Sequence, residues 1–183
     1  MRTCYLPRRV TTSRTYAQLL TALEEKKALV REARTGVTLD LQQPGVKAEF
    51  LGPVRTDYED LNNVSAVLKV TYGKTAFLFM GDASAAAEKD LLRLGNLQAD
   101  VLKVGHHGSS SATGAAFLHA VRPQVAVISV GKSNDYGHPS QATLRRLAAA
   151  QVKVWRTDHT GNIIVTSSGT KIDVKGEKAS ADR

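Results

Sequence analysis

Short apolar runs divided by turn residues cover most of this chain, and their arrangement changes near residue 64. Before that point Cys4-Tyr5-Leu6 reads as a strand. Tyr16, Leu19, Leu20 and Leu23 then recur at helical spacing behind Thr11-Thr12-Ser13, whose hydroxyls suit an N-cap. The spacing predicts a surface helix with one apolar face. Strand-like pieces follow around Leu29–Arg31, Val37–Leu41 and Val46–Leu51, broken by Gly36 and by Pro44-Gly45, and the polar stretch Gly52–Asn63 reads as a loop.

Beyond it, Val64–Thr71 and Thr75–Met80 flank Tyr72-Gly73-Lys74 as a hairpin, and Ala83–Leu94 is an alanine- and leucine-rich helix. Strand and helix then alternate: strand Ala99–Val104, loop Gly105–Ser111, helix Thr113–Val121, strand Gln124–Val130, loop Gly131–Pro139, helix Ser140–Ala150. Strands Val152–Arg156, Asn162–Thr166 and Lys171–Val174 end the pattern. This order predicts an α/β architecture with buried central strands. No repeat or linker divides it, so one domain is expected over residues 4–175, with a polar, disordered tail over 176–183.

Composition agrees with a packed domain: 183 residues with 42% hydrophobic content can bury a real core. No apolar run approaches the roughly 20 residues that cross a bilayer. The first ten residues lack the apolar stretch of a signal peptide, so the chain reads as soluble. Cys4, alone, excludes an internal disulfide and is expected as a small buried hydrophobe. A net charge of +8 favours polyanionic partners such as nucleic acid. The basic residues are nonetheless scattered, at Arg8-Arg9, Lys26-Lys27, Arg145-Arg146 and the Lys171, Lys175, Lys178 segment, as on an ordinary solvated surface.

Chemistry concentrates where three successive strands end. Asp82 follows Phe77–Gly81, His106-His107-Gly108-Ser109 follows Val101–Gly105, and Asn134, Tyr136, His138 and Pro139 follow Val125–Val130. Ligands in open α/β sheets bind at such strand ends. A carboxylate behind an apolar strand needs a cation, hydrogen bonds or water, so Asp82 reads either as a ligand or as the N-cap of the next helix. Adjacent histidines cannot point the same way, so one of His106 and His107 suits a metal and the other a substrate or supporting role. Neutral imidazole ligates zinc or manganese, and imidazolium protonates a leaving oxygen. Ser109, Ser110 and Ser111 offer hydroxyls to phosphate oxygens. His138, opening a helix with Pro139, reads either as a phosphate contact and general acid or as an ordinary loop residue. His119 reads as structural and His159 as a turn residue.

Taken together, Asn62-Asn63-Val64-Ser65-Ala66-Val67-Leu68, Phe79–Asp82, Leu102–Ser109 and Asn134–Ser140 resemble, in order and spacing, the metallo-β-lactamase domain of ComEC-type competence proteins. Thr157-Asp158 and Gly161 match that domain's closing motif. The resemblance covers nearly the whole chain. It implies a metallo-β-lactamase-like αββα sandwich with two divalent metal ions, zinc or manganese, hydrolysing phosphodiesters. Asp82 and His107 would be ligands, His106 a further ligand or proton donor, and His138 a catalytic residue near the substrate phosphate. Asn63, Ser65, Ser109 and Ser110 would line the substrate. Such domains belong to bacterial membrane channels for transforming DNA, so DNA and the channel part of the parent protein are the expected partners.

One departure shapes the expectation. The family's first motif, H-x-H-x-D-H, has no match, since no histidine precedes His106. The sandwich is therefore expected to be N-terminally incomplete, weak or inactive as an isolated nuclease, and prone to homodimerise through exposed apolar surface. Two other readings stand beside it: a basic nucleic-acid-binding or assembly module without catalysis, and a hydrolase of another phosphate ester.

Overall fold

The computed structural model describes residues 3–178. A seven-stranded mixed sheet runs in the order β3-β4-β5-β6-β7-β8-β9, formed by β3 (Thr38–Leu39), β4 (Val46–Phe50), β5 (Leu68–Tyr72), β6 (Thr75–Phe79), β7 (Val101–Lys103), β8 (Val125–Ile128) and β9 (Lys153–Arg156). The strands from β3 to β6 pair antiparallel, and those from β6 to β9 pair parallel. The parallel half is joined through α2 (Ala85–Leu94), α3 (Ala115–Val121) and α4 (Gln141–Ala149). Successive crossovers of one hand lay all three helices on one face.

That face carries the core. Leu78, Leu102 and Ala126 lie in one register row and are fully buried. They meet Leu91 of α2, Phe117, Leu118 and Val121 of α3, and Leu147 of α4 in a single cluster. The opposite face holds the row Phe79, Lys103, Val127 and Trp155, where Phe79 is 40% exposed.

Two smaller units flank the sheet. β1 (Thr3–Leu6) pairs parallel with β2 (Leu29–Glu32), and α1 (Arg14–Glu25) connects them. Ser13 caps α1 by accepting the Tyr16 N–H at 3.2 Å, yet no residue of α1 is buried. The hairpin of β10 (Ile163–Ser167) and β11 (Ile172–Gly176) docks its turn on the β5–β6 turn, where the Lys74 N–H donates to the Gly169 carbonyl at 2.6 Å.

Several boundaries differ from the sequence expectation. Val64 belongs to a 3-10 turn, Leu61–Val64, capped by the Asp60 carboxylate, and the strand begins only at Leu68. Val64 and Val67 are buried without being in a strand, which is why an apolar run suggested one. Thr157–Thr160 forms a single helical turn, α5, too short to leave a periodic signal. The expected disordered tail is structured at its start: β11 includes Gly176, and the amides of Glu177 and Lys178 donate to Asn162 and Thr160. Residues 179–183 lie outside the described residues. Cys4, expected buried, is only partly so. Among the described residues no helix is long and apolar enough to cross a membrane.

Candidate metal centre

Asp82 is positioned by the turn that leaves β6. Gly81 has φ +56°, and a Cβ there would sit 3.0 Å from Ser65 Cβ and Oγ, so this approach suits glycine. Ser65 Oγ accepts the Asp82 N–H at 2.9 Å, and the Gly81 carbonyl accepts the His106 N–H at 3.0 Å. The Asp82 side chain remains 44% exposed. It does not cap α2. Asn63 does so from a distance of 21 residues, its Oδ1 accepting the Ser84 N–H and hydroxyl and the Ala87 N–H at 3.0–3.1 Å. Asn63, read as a substrate contact, is thus 4% exposed and occupied with a helix end, and Ser65 holds the turn of Asp82.

The turn after β7 brings the histidines back over Asp82. His106 and His107 both adopt left-handed backbone, φ 46° and 53°. Such geometry costs about 1–2 kcal/mol per non-glycine residue. Gly105 beneath them could not be anything larger, since a Cβ would lie 2.5 Å from the Ala83 carbonyl oxygen. His107 Nδ1–H donates to the Ser129 carbonyl at 2.7 Å, and His107 Nε2 stands 3.3 Å from Asp82 Oδ1. His106 Nδ1 is buried with no hydrogen-bond partner among the described residues.

The third loop closes on the second. Ser140 N–H donates to the Gly108 carbonyl at 2.9 Å, and a Cβ on Gly108 would meet Pro139 Cβ at 2.7 Å. Asn134 fixes the loop internally, accepting the His138 N–H at 2.9 Å and donating to the His138 carbonyl at 2.7 Å. The His138 ring meets His106 edge-on at 5.8 Å and stacks on Tyr136 at 5.9 Å. Burial, then the nearby His106 and His107, holds the His138 imidazole below its ordinary value. Ser109 is buried and shares a hydrogen bond with Ser111, while Ser110 is exposed. Asp82, His106, His107 and His138 therefore gather on one edge; Asn63 and Ser65 stand behind it.

Sequence reasoning missed the groups that hold this edge from behind. Buried Glu88 of α2 accepts the amides of Thr113 and Gly114. Arg146 of α4 donates to the carbonyls of Ser110, Ala112 and Thr113 at 2.8–3.0 Å, and the Thr143 hydroxyl donates to the Ser109 carbonyl at 2.7 Å. Thr157 Oγ1 accepts the Val130 N–H at 2.7 Å and steadies the strand end that leads to His138. Lys103, at the end of β7, donates to the Val104 carbonyl; burial lowers its pKa and the Asp82 charge opposes that shift. A polar residue inside an apolar helix or strand was the available signal for Glu88 and Lys103.

The donors fit a divalent cation. With the ring proton of His107 committed to Ser129, its Nε2 and Asp82 Oδ1 are two acceptors facing each other at 3.3 Å. That arrangement calls for a cation or a shared proton between them, and a backbone carbonyl behind a ligating imidazole is a common support. Nitrogen and carboxylate oxygen suit zinc or manganese. Among the described residues no group of three or more His, Cys, Asp or Glu is placed to hold a metal.

Comparison with known proteins points the same way. A profile described as the metallo-β-lactamase superfamily matches residues 10–132. The chain is 35% identical over 147 residues to ComE operon protein 3 of Bacillus subtilis, covering 80% of this chain and 19% of that protein. It is 42% identical over 122 residues to competence protein ComA of Neisseria gonorrhoeae, covering 66% and 18%. It is 34% identical over 137 residues to recombination protein 2 of Haemophilus influenzae, covering 74% and 17%. The matches thus span less than a fifth of the length of these relatives.

Proposed function

The chain belongs to the metallo-β-lactamase superfamily, with a domain of the competence-protein kind, and from that premise we propose that it is a metal-dependent phosphodiesterase acting on DNA. The observation that carries the reading is the Asp82–His107 pair, two acceptors set against each other at a strand-end edge. Asp82 and His107 would hold a divalent ion, zinc or manganese, which when bound supplies positive charge to phosphoryl oxygens. Hydrolysis adds water at phosphorus, breaks the P–O ester bond and returns a proton to the leaving oxygen. Held below its ordinary value, His138 is neutral at pH 7 and serves as a hydrogen-bond donor to the phosphate. His106, whose ring meets His138 edge-on at 5.8 Å, is assigned with it to assist departure of the leaving oxygen. Ser110, exposed on the serine loop, supplies a hydroxyl to phosphate oxygens, while the buried Ser109 shares its hydroxyl with Ser111 and supports the loop.

Two donors hold an ion weakly, since a working site uses about three protein ligands and an open position. In this reading further ligands come from outside the described residues, from the membrane-channel parent or a second copy of the chain, and the chain alone cleaves slowly. The relatives' names, competence and recombination, agree with DNA as substrate. The test is cleavage of linear DNA with and without added manganese or zinc, in the wild type and in His107→Ala. Metal-dependent cleavage that falls at least about 100-fold in the variant, some 2.7 kcal/mol of barrier, is the expected result. Cleavage unchanged by the substitution would refute it.

The small donor count among the described residues favours one rival, a DNA-binding module without catalysis. That rival requires DNA binding that falls with salt and is indifferent to both metal and Asp82→Ala.

A further inference from the structure

The ends of the parallel strands opposite Asp82 and His107 carry a different set of groups. A cavity of about 380 Å³ opens there between the β5–β6 turn, the loop before β7 and the end of α3, lined by Lys69, Lys74, Asn96, Gln98, Asp100 and Arg122 among others. The cations arrive from separate elements. Lys69 is only 9% exposed, and its Nζ donates to the Asn96 carbonyl at 2.7 Å and to Asn96 Oδ1 at 3.1 Å. Arg122, at the left-handed end of α3, has its guanidinium beside the Gln98 carboxamide. Lys74 sits on a turn whose backbone is fixed by the Gly169 carbonyl.

None of the three forms an ion pair among the described residues. The one acid lining the cavity, Asp100, is already engaged: its oxygens accept the Ala76 N–H at 2.8 Å and the Gln124 carboxamide at 3.0 Å. Glu49, the register partner of Lys69 on β4, acts on that lysine only through space, while burial pushes the ammonium below its ordinary range. Helix C-termini attract cations, which accounts singly for Lys69 beyond α2 and Arg122 beyond α3. It does not account for Lys74 facing the same space. Three cations against one carboxylate leave a cavity of net positive charge, with Lys69 buried and Lys74 and Arg122 exposed, and a guanidinium with two ammonium groups is the donor set that recognises phosphate oxygens.

We propose that this cavity is a phosphate-binding site, separate from the metal edge, in which Lys69, Lys74 and Arg122 hold the phosphate group of a nucleic acid or of a free phosphate ester.

The test titrates the isotopically labelled full chain with inorganic phosphate, a nucleoside 5′-monophosphate and a short single-stranded oligodeoxynucleotide. NMR shifts at Gly73–Ala76 and Leu97–Asp100 are compared with those at Asp82, His106 and His107. Saturable shifts at the first group, with half-saturation at or below about 1 mM, are the expected result. The double substitution K74Q/R122Q, both at exposed positions, should weaken that response at least tenfold without altering thermal unfolding or the shifts at the histidines. Saturation by inorganic phosphate or the mononucleotide assigns the site to free phosphate. Saturation by the oligonucleotide alone assigns it to a nucleic-acid backbone. Absence of saturable shifts at the first group with all three ligands, or an unchanged response in the double variant, overturns the proposal.

Discussion

Helices α1 and α2 are similar in length and both amphipathic, yet α1 buries none of its residues while α2 buries Ala87, Glu88, Asp90 and Leu91. The difference lies in what they face. α2 crosses between two parallel strands and is pressed against the sheet by that connection. α1 joins the two strands of a small separate sheet and leaves Leu19 and Leu20 about 40% exposed. An apolar stripe is a demand for a partner, met in one region and unmet within the described residues of the other. Burial also turns polar residues of α2 into fixtures. Glu88 holds the loop behind the histidines, and Asp90 holds Arg55, Tyr58 and Arg93.

The contrast is most exposed to truncations of apolar side chains. Phe117→Ala in the helix-covered core should cost about 3–5 kcal/mol in urea unfolding, whereas Leu19→Ala should cost no more than about 1 kcal/mol. Equal losses would mean that α1 is packed in solution, as a homodimer through exposed apolar surface would allow, and sedimentation would then detect it. A smaller effect sharpens the role of α2. Glu88→Ala leaves one buried and one partly buried amide without an acceptor and should cost about 1–3 kcal/mol, with Glu88→Gln recovering part of it. The same substitution should weaken metal binding by loosening the serine loop, and metal affinity unchanged in the unfolding-matched variant would confine Glu88 to stability.

The next effect is pH dependence. Arg55 and then Tyr58, both donating to the Asp90 carboxylate, hold it below its ordinary value of 3.8. A depressed carboxylate means that the unfolded chain binds the proton more readily. Its contribution is therefore present above that value and disappears as pH falls towards the lowered folded one. Asp90→Asn should reduce stability by about 1–2 kcal/mol at pH 7 and flatten the loss seen below pH 4 or so. An unaltered acid limb would remove Asp90 from the account. Smallest and most local is Ser13→Ala. Losing this cap costs about 1 kcal/mol and should appear as faster amide exchange confined to Arg14–Glu25, with the core amides unmoved.

Much of the helix-covered half was legible because its periodicity and its turns agree. The strand Val125–Ile128 and the helices α2, α3 and α4 fall within the expected spans, and Asp82 and the histidine loops lie at strand ends as read. What escaped was long-range. The cap of α2 comes from Asn63, on an earlier turn, so no local window around Ala85 contains it. The left-handed backbone of His106 and His107 lies between two glycines packed against other loops, and histidine itself announces no such geometry. The convergence of Glu88 and Arg146 on one serine loop depends on helix packing, which periodicity does not encode.

Gly108 and Pro139 touch so closely that no side chain fits at position 108, and this makes the histidine loop and the His138 loop one mechanical piece. Residue replacement there would move both loops together instead of parting them. Were the proposed phosphodiesterase activity put under selection for another ester, variants should accordingly gather at Ser110, Tyr136 and other exposed loop positions, while position 108 stays glycine through every round.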